Sequence, residues 1–261
     1  MLRRQLTLLF AICLPLGCGD EPAGDEGATE TSGDGDGDGD GDGDGDGGTD
    51  PGDGDGDTTE VVVVSGDAFA FGPSAMIADA AVRVLELPEF TTTTDAMGHW
   101  EFPDLPAGAT ATFVFEKAGY PIVYTKTFTL PDSGTVERVT FQVPDDATYG
   151  ALALIVGIEP DPANCQIAST VTRVGKSLYD EGAHGEAGAT VTIEPALPAE
   201  NGPVYFNAQV IPDPDLTETS DDGGVLYTNV PPGTYTLRAS KDGVTFEDVV
   251  VTCEADVLVN P

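Results

Sequence analysis

The sequence predicts an all-β chain, two tandem antiparallel β-sandwiches with one short helix near their junction. Three observations lead there. A block of fifteen residues occurs twice, as Thr94–Gly108 and again as Thr219–Gly233, both reading T-x-x-x-G-x-x-x-aromatic-x-[D/N]-[L/V]-P-x-G. Each block is followed by an alternating strand, then a Lys and a Gly: Lys117 and Gly119, Lys241 and Gly243. The remaining apolar segments are short, β-branched or aromatic, and separated by Gly, Pro and Asp turns. A repeat of this length points to two copies of one small unit, and the segment pattern to sandwiches.

In chain order, Arg3 and Arg4 precede a mostly apolar stretch from Leu6 to Leu16. Such a stretch is too short for a spanning helix and reads as an export signal. It ends Leu14-Pro15-Leu16-Gly17-Cys18, which resembles a bacterial lipoprotein signal with Cys18 as the lipidated residue, although Pro15 stands where an aliphatic residue is usual. This implies a lipid anchor at the cell envelope, in the outer membrane. An ordinary cleaved signal is the alternative, and either places the mature chain outside the cytoplasm. Residues 1–17 are thus a signal, and residues 18–60 an acidic linker. From Gly19 to Glu60 there are 17 acidic residues and no Lys or Arg, with Gly-Asp alternation over Gly33–Gly48 and Gly52–Asp57. Such a segment has nothing apolar to bury and repels itself, so it is expected to be a disordered tether of roughly 35 Å coil dimension. Specific calcium loops are the sharper alternative, but the alternation lacks their fixed spacing and terminal Glu. The formal charge of −36 excludes nucleic acid as a partner, because phosphates need Lys and Arg.

The first sandwich spans 61–144. Val61–Val64 is expected as a buried strand run, followed by strands around Val82 and Val84, Trp100–Phe102, Ala111–Glu116, Val123–Leu130 and Val136–Val143. Residues 145–164 form the junction. Asp145 and Asp146 open an apolar segment that Gly157 closes, which fits a short helix packed between the domains. The second sandwich spans 165–261, with strands expected over Ile167–Val174, Ala189–Glu194, Val204–Asn207, Val225–Tyr227, Tyr235–Ala239, Val244–Glu247, Val249–Thr252 and Val257–Val259. An insertion between Pro195 and Leu216 has no counterpart in the first copy. Cys165 and Cys253 lie near the two ends of this domain. In an exported protein they are expected to pair, closing a loop of 88 residues worth on the order of 4–5 kcal/mol; two separate buried thiols are the alternative.

The order strand, "GA-x-V-x-V", "T-D-x-x-G-x-W-x-F", "L-P-x-G", alternating strand and "G-Y" resembles carboxypeptidase regulatory-like domains, which have a transthyretin-like sandwich. The residues that carry it are Ala80, Val82, Val84, Asp95, Gly98, Trp100, Phe102, Leu105, Pro106, Gly108, Gly119 and Tyr120. In the second copy they are Gly188, Ala189, Val191, Ile193, Asp221, Gly223, Tyr227, Val230, Pro231, Gly233 and Tyr235. The resemblance implies an accessory, non-catalytic module. The Gly-Asp tether behind its signal also resembles surface lipoproteins of myxobacteria.

No catalytic signature emerges. His99 and His184 lie outside any zinc-binding spacing, and nucleophile-elbow, P-loop and dinucleotide motifs are missing from the sequence. Two weaker candidates remain. Asp213, Asp215, Glu218, Asp221 and Asp222 place five carboxylates within ten residues, which suits calcium or a solvated loop. Tyr205 and Phe206 lie on alternate faces of one strand, so one of them is a candidate to stack on a sugar ring. The sequence-level expectation is a non-catalytic binding module for an envelope polysaccharide or protein, with a structural spacer as the alternative.

Overall fold

A computed structural model describes residues 60–72, 75–173, 175–177 and 184–261. The signal, Cys18 and the tether lie outside the described residues. The first half contains β1 (Val61–Ala70), β2 (Ala81–Val84), β3 (Thr91–Thr93), β4 (His99–Pro106), β5 (Thr110–Glu116), β6 (Ile122–Thr129) and β7 (Gly134–Val143). Helix α1 (Asp146–Val156) follows. The second half contains β8 (Cys165–Thr170), β9 (Thr190–Glu194), β10 (Val204–Phe206), β11 (Pro212–Asp213), β12 (Gly224–Val230), β13 (Gly233–Ser240), β14 (Val249–Cys253) and β15 (Val257–Val259), with a 3-10 turn at Ala199–Asn201.

The repeated sequence folds with repeated topology. β1 lies between antiparallel β4 and parallel β7, and β8 between antiparallel β12 and parallel β15. Opposite them, β5 lies between β2 and β6, and β13 between β9 and β14. Alternating burial along β1 and β9 follows the period-two geometry of a strand that covers a core on one face. The valine run at the start of β1 is therefore not uniformly buried: Val62 and Val64 enter the core, while Val61 is 49% exposed. Val244–Glu247, expected as a strand, is a loop whose first residue forms an isolated bridge to Lys241.

The two halves, each with its own core, are joined within one sheet. β15 pairs in parallel with β8 on one side and with β6 on the other, so a nine-stranded sheet runs β11-β10-β12-β8-β15-β6-β5-β2-β3. The three-stranded sheets β4-β1-β7 and β14-β13-β9 cover it on opposite faces. Leu258 enters the first core, while Val257 and Val259 enter the second. The same division holds along β5, where Phe113 and Phe115 face the first core and Val114 the second, and along β6, with Val123 and Tyr124. The first core centres on Trp100, whose ring lies 5.1 Å from Phe113 and 5.8 Å from Phe102 and Phe141. In the second, a disulfide joins Cys165 of β8 to Cys253 of β14, with Cα atoms 5.7 Å apart. Cys165 takes the place of Val62 in the repeat, since each pairs with the matching strand residue, Val230 or Leu105.

Polar contacts reinforce the seam. The Tyr124 hydroxyl donates to Glu254 at 2.7 Å, Thr127 and Thr252 share a hydrogen bond of 3.2 Å, and the Asn260 amide donates to the Tyr124 carbonyl at 2.7 Å. Helix α1 lies near this junction in sequence but does not fill it. Its Asp145 cap accepts from the Thr148 amide, which holds the Asp145 carboxyl below the usual range, and Gly157 ends it in the left-handed conformation. No helix residue is buried, and Leu154 is 81% exposed. The reason is that β15 already occupies the space between β8 and β6.

Leu258→Ala is expected to cost about 2–5 kcal/mol in chemical denaturation, the range for truncating a buried leucine. Burial, then the bond to Glu254, pushes the Tyr124 phenol up to about 12. The folded state therefore holds this proton more tightly than the unfolded chain does, so the associated stability is complete below about pH 10 and is lost as pH rises towards 12. Burial also pushes the Tyr149 phenol up to about 12 and raises Tyr227, so spectrophotometric titration should show several phenolates forming late, and Tyr124→Phe should reduce that late component without abolishing it.

Candidate functional site

The shared block is built around one threonine in each copy. In the first, the Thr94 hydroxyl donates to the Ile77 carbonyl at 2.7 Å and accepts from the Ala80 amide at 2.9 Å. In the second, the Thr219 hydroxyl donates to the Glu186 carbonyl and accepts from the Ala189 amide at 2.9 Å. Both threonines are buried. The repeated lysines close the same loops: Lys117 donates to the Ala78 carbonyl and Lys241 to the Ala187 carbonyl, each at 2.7 Å. Gly98 and Gly223 take φ of 74° and 78°, and a side chain on either would collide with the carbonyl of Ala68 or Val171. The Asp95 carboxylate accepts from the amides of Met97 and His99. In the second copy Ser220, not Asp221, takes the corresponding turn position and accepts from the Asp222 amide at 3.2 Å. The repeated residues are thus framework.

The acidic candidates do not converge. Asp221 pairs with Arg173 at 2.9 Å, Asp213 accepts from the Asp215 amide at 3.1 Å, and Asp222 accepts from the Gly224 amide at 3.2 Å. Burial pushes the Asp222 carboxyl up. The Glu218 carboxylate lies near the Gly188 backbone. Among the described residues no group of three or more His, Cys, Asp or Glu is placed to hold a metal ion. Proximity in sequence failed to become proximity in space because the loop bends through β11 and two side chain-to-backbone turns. His99 instead faces Asp67 at 3.1 Å.

The aromatic pair also departs from expectation. Tyr205 and Phe206 do alternate, but both are buried, at 3% and 7% exposure. The insertion makes β10 an inner strand between β11 and β12, and its faces are covered by packing, Tyr205 in the second core and Phe206 on Gly224. The Tyr205 hydroxyl accepts from the Val191 amide at 3.0 Å, and the Tyr227 hydroxyl donates to the Val191 carbonyl at 2.9 Å. Phe206 packs on Gly224, where a side chain would collide with the ring. Neither ring is available to a sugar.

A different concavity remains. A groove of about 420 Å³ opens between the two sheets of the second sandwich, beside the seam. Val171, Val191, Leu237, Ala239 and Val249 form its apolar lining, with the half-buried ring of Phe246. Its polar lining comprises Ser169, Thr170, Thr172, Thr245, Glu247, Arg173 and Lys176, and β6 of the first sandwich contributes Lys126. The Lys126 ammonium lies 5.0 Å from the centre of the Phe128 ring. Sequence reasoning missed this site because its residues come from five separated segments. The signal available was the scarcity of cations: after Arg4 the chain has eight Lys and Arg, and three line this groove.

No protein-family model and no curated protein matches the chain. Solved structures are similar at low identity. The TIE protein of Bacillus anthracis is 14% identical, with 77% of this chain and 33% of that one covered and a TM-score of 0.27. A candidate carbohydrate-binding protein from Bacteroides uniformis is 12% identical, covering 74% and 97%, with a TM-score of 0.28. A minor pilin of Streptococcus agalactiae is 11% identical, covering 77% and 93%, with a TM-score of 0.25. Likenesses at this level carry no argument about function.

Thr94→Ala and Thr219→Ala should each cost about 1–3 kcal/mol in urea unfolding, because each strands a buried amide and a buried carbonyl. Serine at either position should retain most of the stability.

Proposed function

We propose that this chain is a non-catalytic recognition module of the bacterial cell envelope, anchored by lipid at Cys18 and carried on the acidic segment 18–60. Its two carboxypeptidase regulatory-like sandwiches, 61–144 and 165–261, hold one ligand groove. The groove itself carries this reading: its lining of apolar side chains, one aromatic ring and several hydroxyls suits an extended saccharide better than a reacting centre. The export signal and the Cys165–Cys253 disulfide support a location outside the cytoplasm. Among the described residues no helix is long and apolar enough to cross a membrane. A second reading, a structural spacer without a small ligand, draws on the continuous nine-stranded sheet, which would transmit orientation from one sandwich to the other.

Screening the full chain against envelope polysaccharides and glycan fragments tests the choice. Binding that Phe246→Ala weakens by about tenfold, the effect of losing a ring worth roughly 1 kcal/mol or more, is expected. A chelator should leave it unchanged, since the five carboxylates are not gathered into a metal site. Silence across the screen would favour the spacer.

A further inference from the structure

We infer that the groove selects an anionic saccharide, one whose rings bear carboxylates, as in a uronate oligomer. The inference rests on the recognition reading above and specifies its ligand class. On a chain of formal charge −36, three of the eight cations beyond Arg4 line a single concavity, against one carboxylate, Glu247, in the same lining. Arg173 is already met by Asp221, whereas Lys126 has only an aromatic ring beside it, and such a cation is where an otherwise acidic surface attracts an anion.

Two of the cations are suited to meet a ligand. Lys126 has no carboxylate within ion-pair distance among the described residues; its ammonium rests near the face of Phe128. Arg173 donates from Nε to the Gly185 carbonyl and from Nη2 to Asp221, both at 2.9 Å. The Arg173 and Asp221 side chains are 44% and 60% exposed, so their bond is of the weak, exchangeable kind that a ligand carboxylate can replace. The Gly185 bond meanwhile holds the guanidinium in place. The same groove is lined by the half-buried Phe246, whose ring is of the kind that covers the C–H face of a sugar, and by Thr170, Thr172 and Thr245, which carry hydroxyls. Carboxylate, ring face and hydroxyls together describe a uronate. An acidic peptide would supply the first without the second.

Titration calorimetry of the full chain with three probes tests this: oligogalacturonate, its fully methyl-esterified form, and a Gly-Asp peptide of matching charge. The acid oligomer should bind, with affinity falling as salt rises. Esterification should weaken binding by about tenfold or more, the loss of a charge-assisted hydrogen bond. Lys126→Ala should do the same for the acid oligomer and leave the ester unaffected, while Lys126→Arg should retain binding. Since Lys126 is not part of either core, its substitution should leave the fold intact, as circular dichroism will check. Equal binding of acid and ester, sensitive to Phe246→Ala, would overturn the charge inference and leave the recognition reading standing. Peptide binding as tight as the acid oligomer would overturn the saccharide. Absence of binding by all three probes would overturn this inference, and the recognition reading would fall as well only if the broader glycan screen were also silent.

Discussion

Three residues, Val257, Leu258 and Val259, give their backbone to two neighbouring strands and their side chains to two cores. β15 closes the second sandwich as β7 closes the first, parallel to the strand that opens its half. Unlike β7, it also pairs with β6, which would otherwise be the open edge of the first sandwich. An unpaired edge invites association with other chains, and here it is satisfied internally. The register is fixed by alternation: a slip of one residue would put Leu258 in the second core and both valines in the first.

This pairing also places the candidate site. Lys126 belongs to the first sandwich, whereas every other residue that lines the groove belongs to the second half. The two parts meet because β6 lies next to β15 and its Thr127 reaches Thr252 of β14. A flexible linker between independent sandwiches would leave Lys126 free to wander from Arg173. The shared sheet holds both over one groove, so the proposed anionic ligand would meet charges set before binding, which lowers the ordering cost of association.

Much of the framework was legible in the sequence. The repeated glycines had a steric cause, the alternating strands a periodicity, and the Asp145 to Gly157 segment its cap and stop signals. The hub role of Thr94 and Thr219 was present in the repeat but had no local signature, since their partners lie 14 to 33 residues away. The sheet continuity was hidden for the same reason: Val257–Val259 reads as any short strand, and nothing in it names β6 as a partner. The site was the least legible part. Tyr205 and Phe206 alternate as expected, yet their exposure depended on what would pack on each face, the second core on one and Gly224 on the other. The carboxylates of 213–222 cluster in sequence only, because one is drawn off by Arg173 and others cap their own turns.

The dependence of one core on the other can be measured through the single tryptophan. Trp100 lies in the first core, and the Cys165–Cys253 disulfide lies in the second. Urea unfolding followed by Trp100 fluorescence should be compared between the native chain and one with both cysteines replaced by alanine. If β15 couples the cores, loss of the disulfide lowers the Trp100 midpoint, and that midpoint coincides with the one from far-ultraviolet circular dichroism in both proteins. A Trp100 midpoint that stays fixed while a separate transition moves would contradict the coupling.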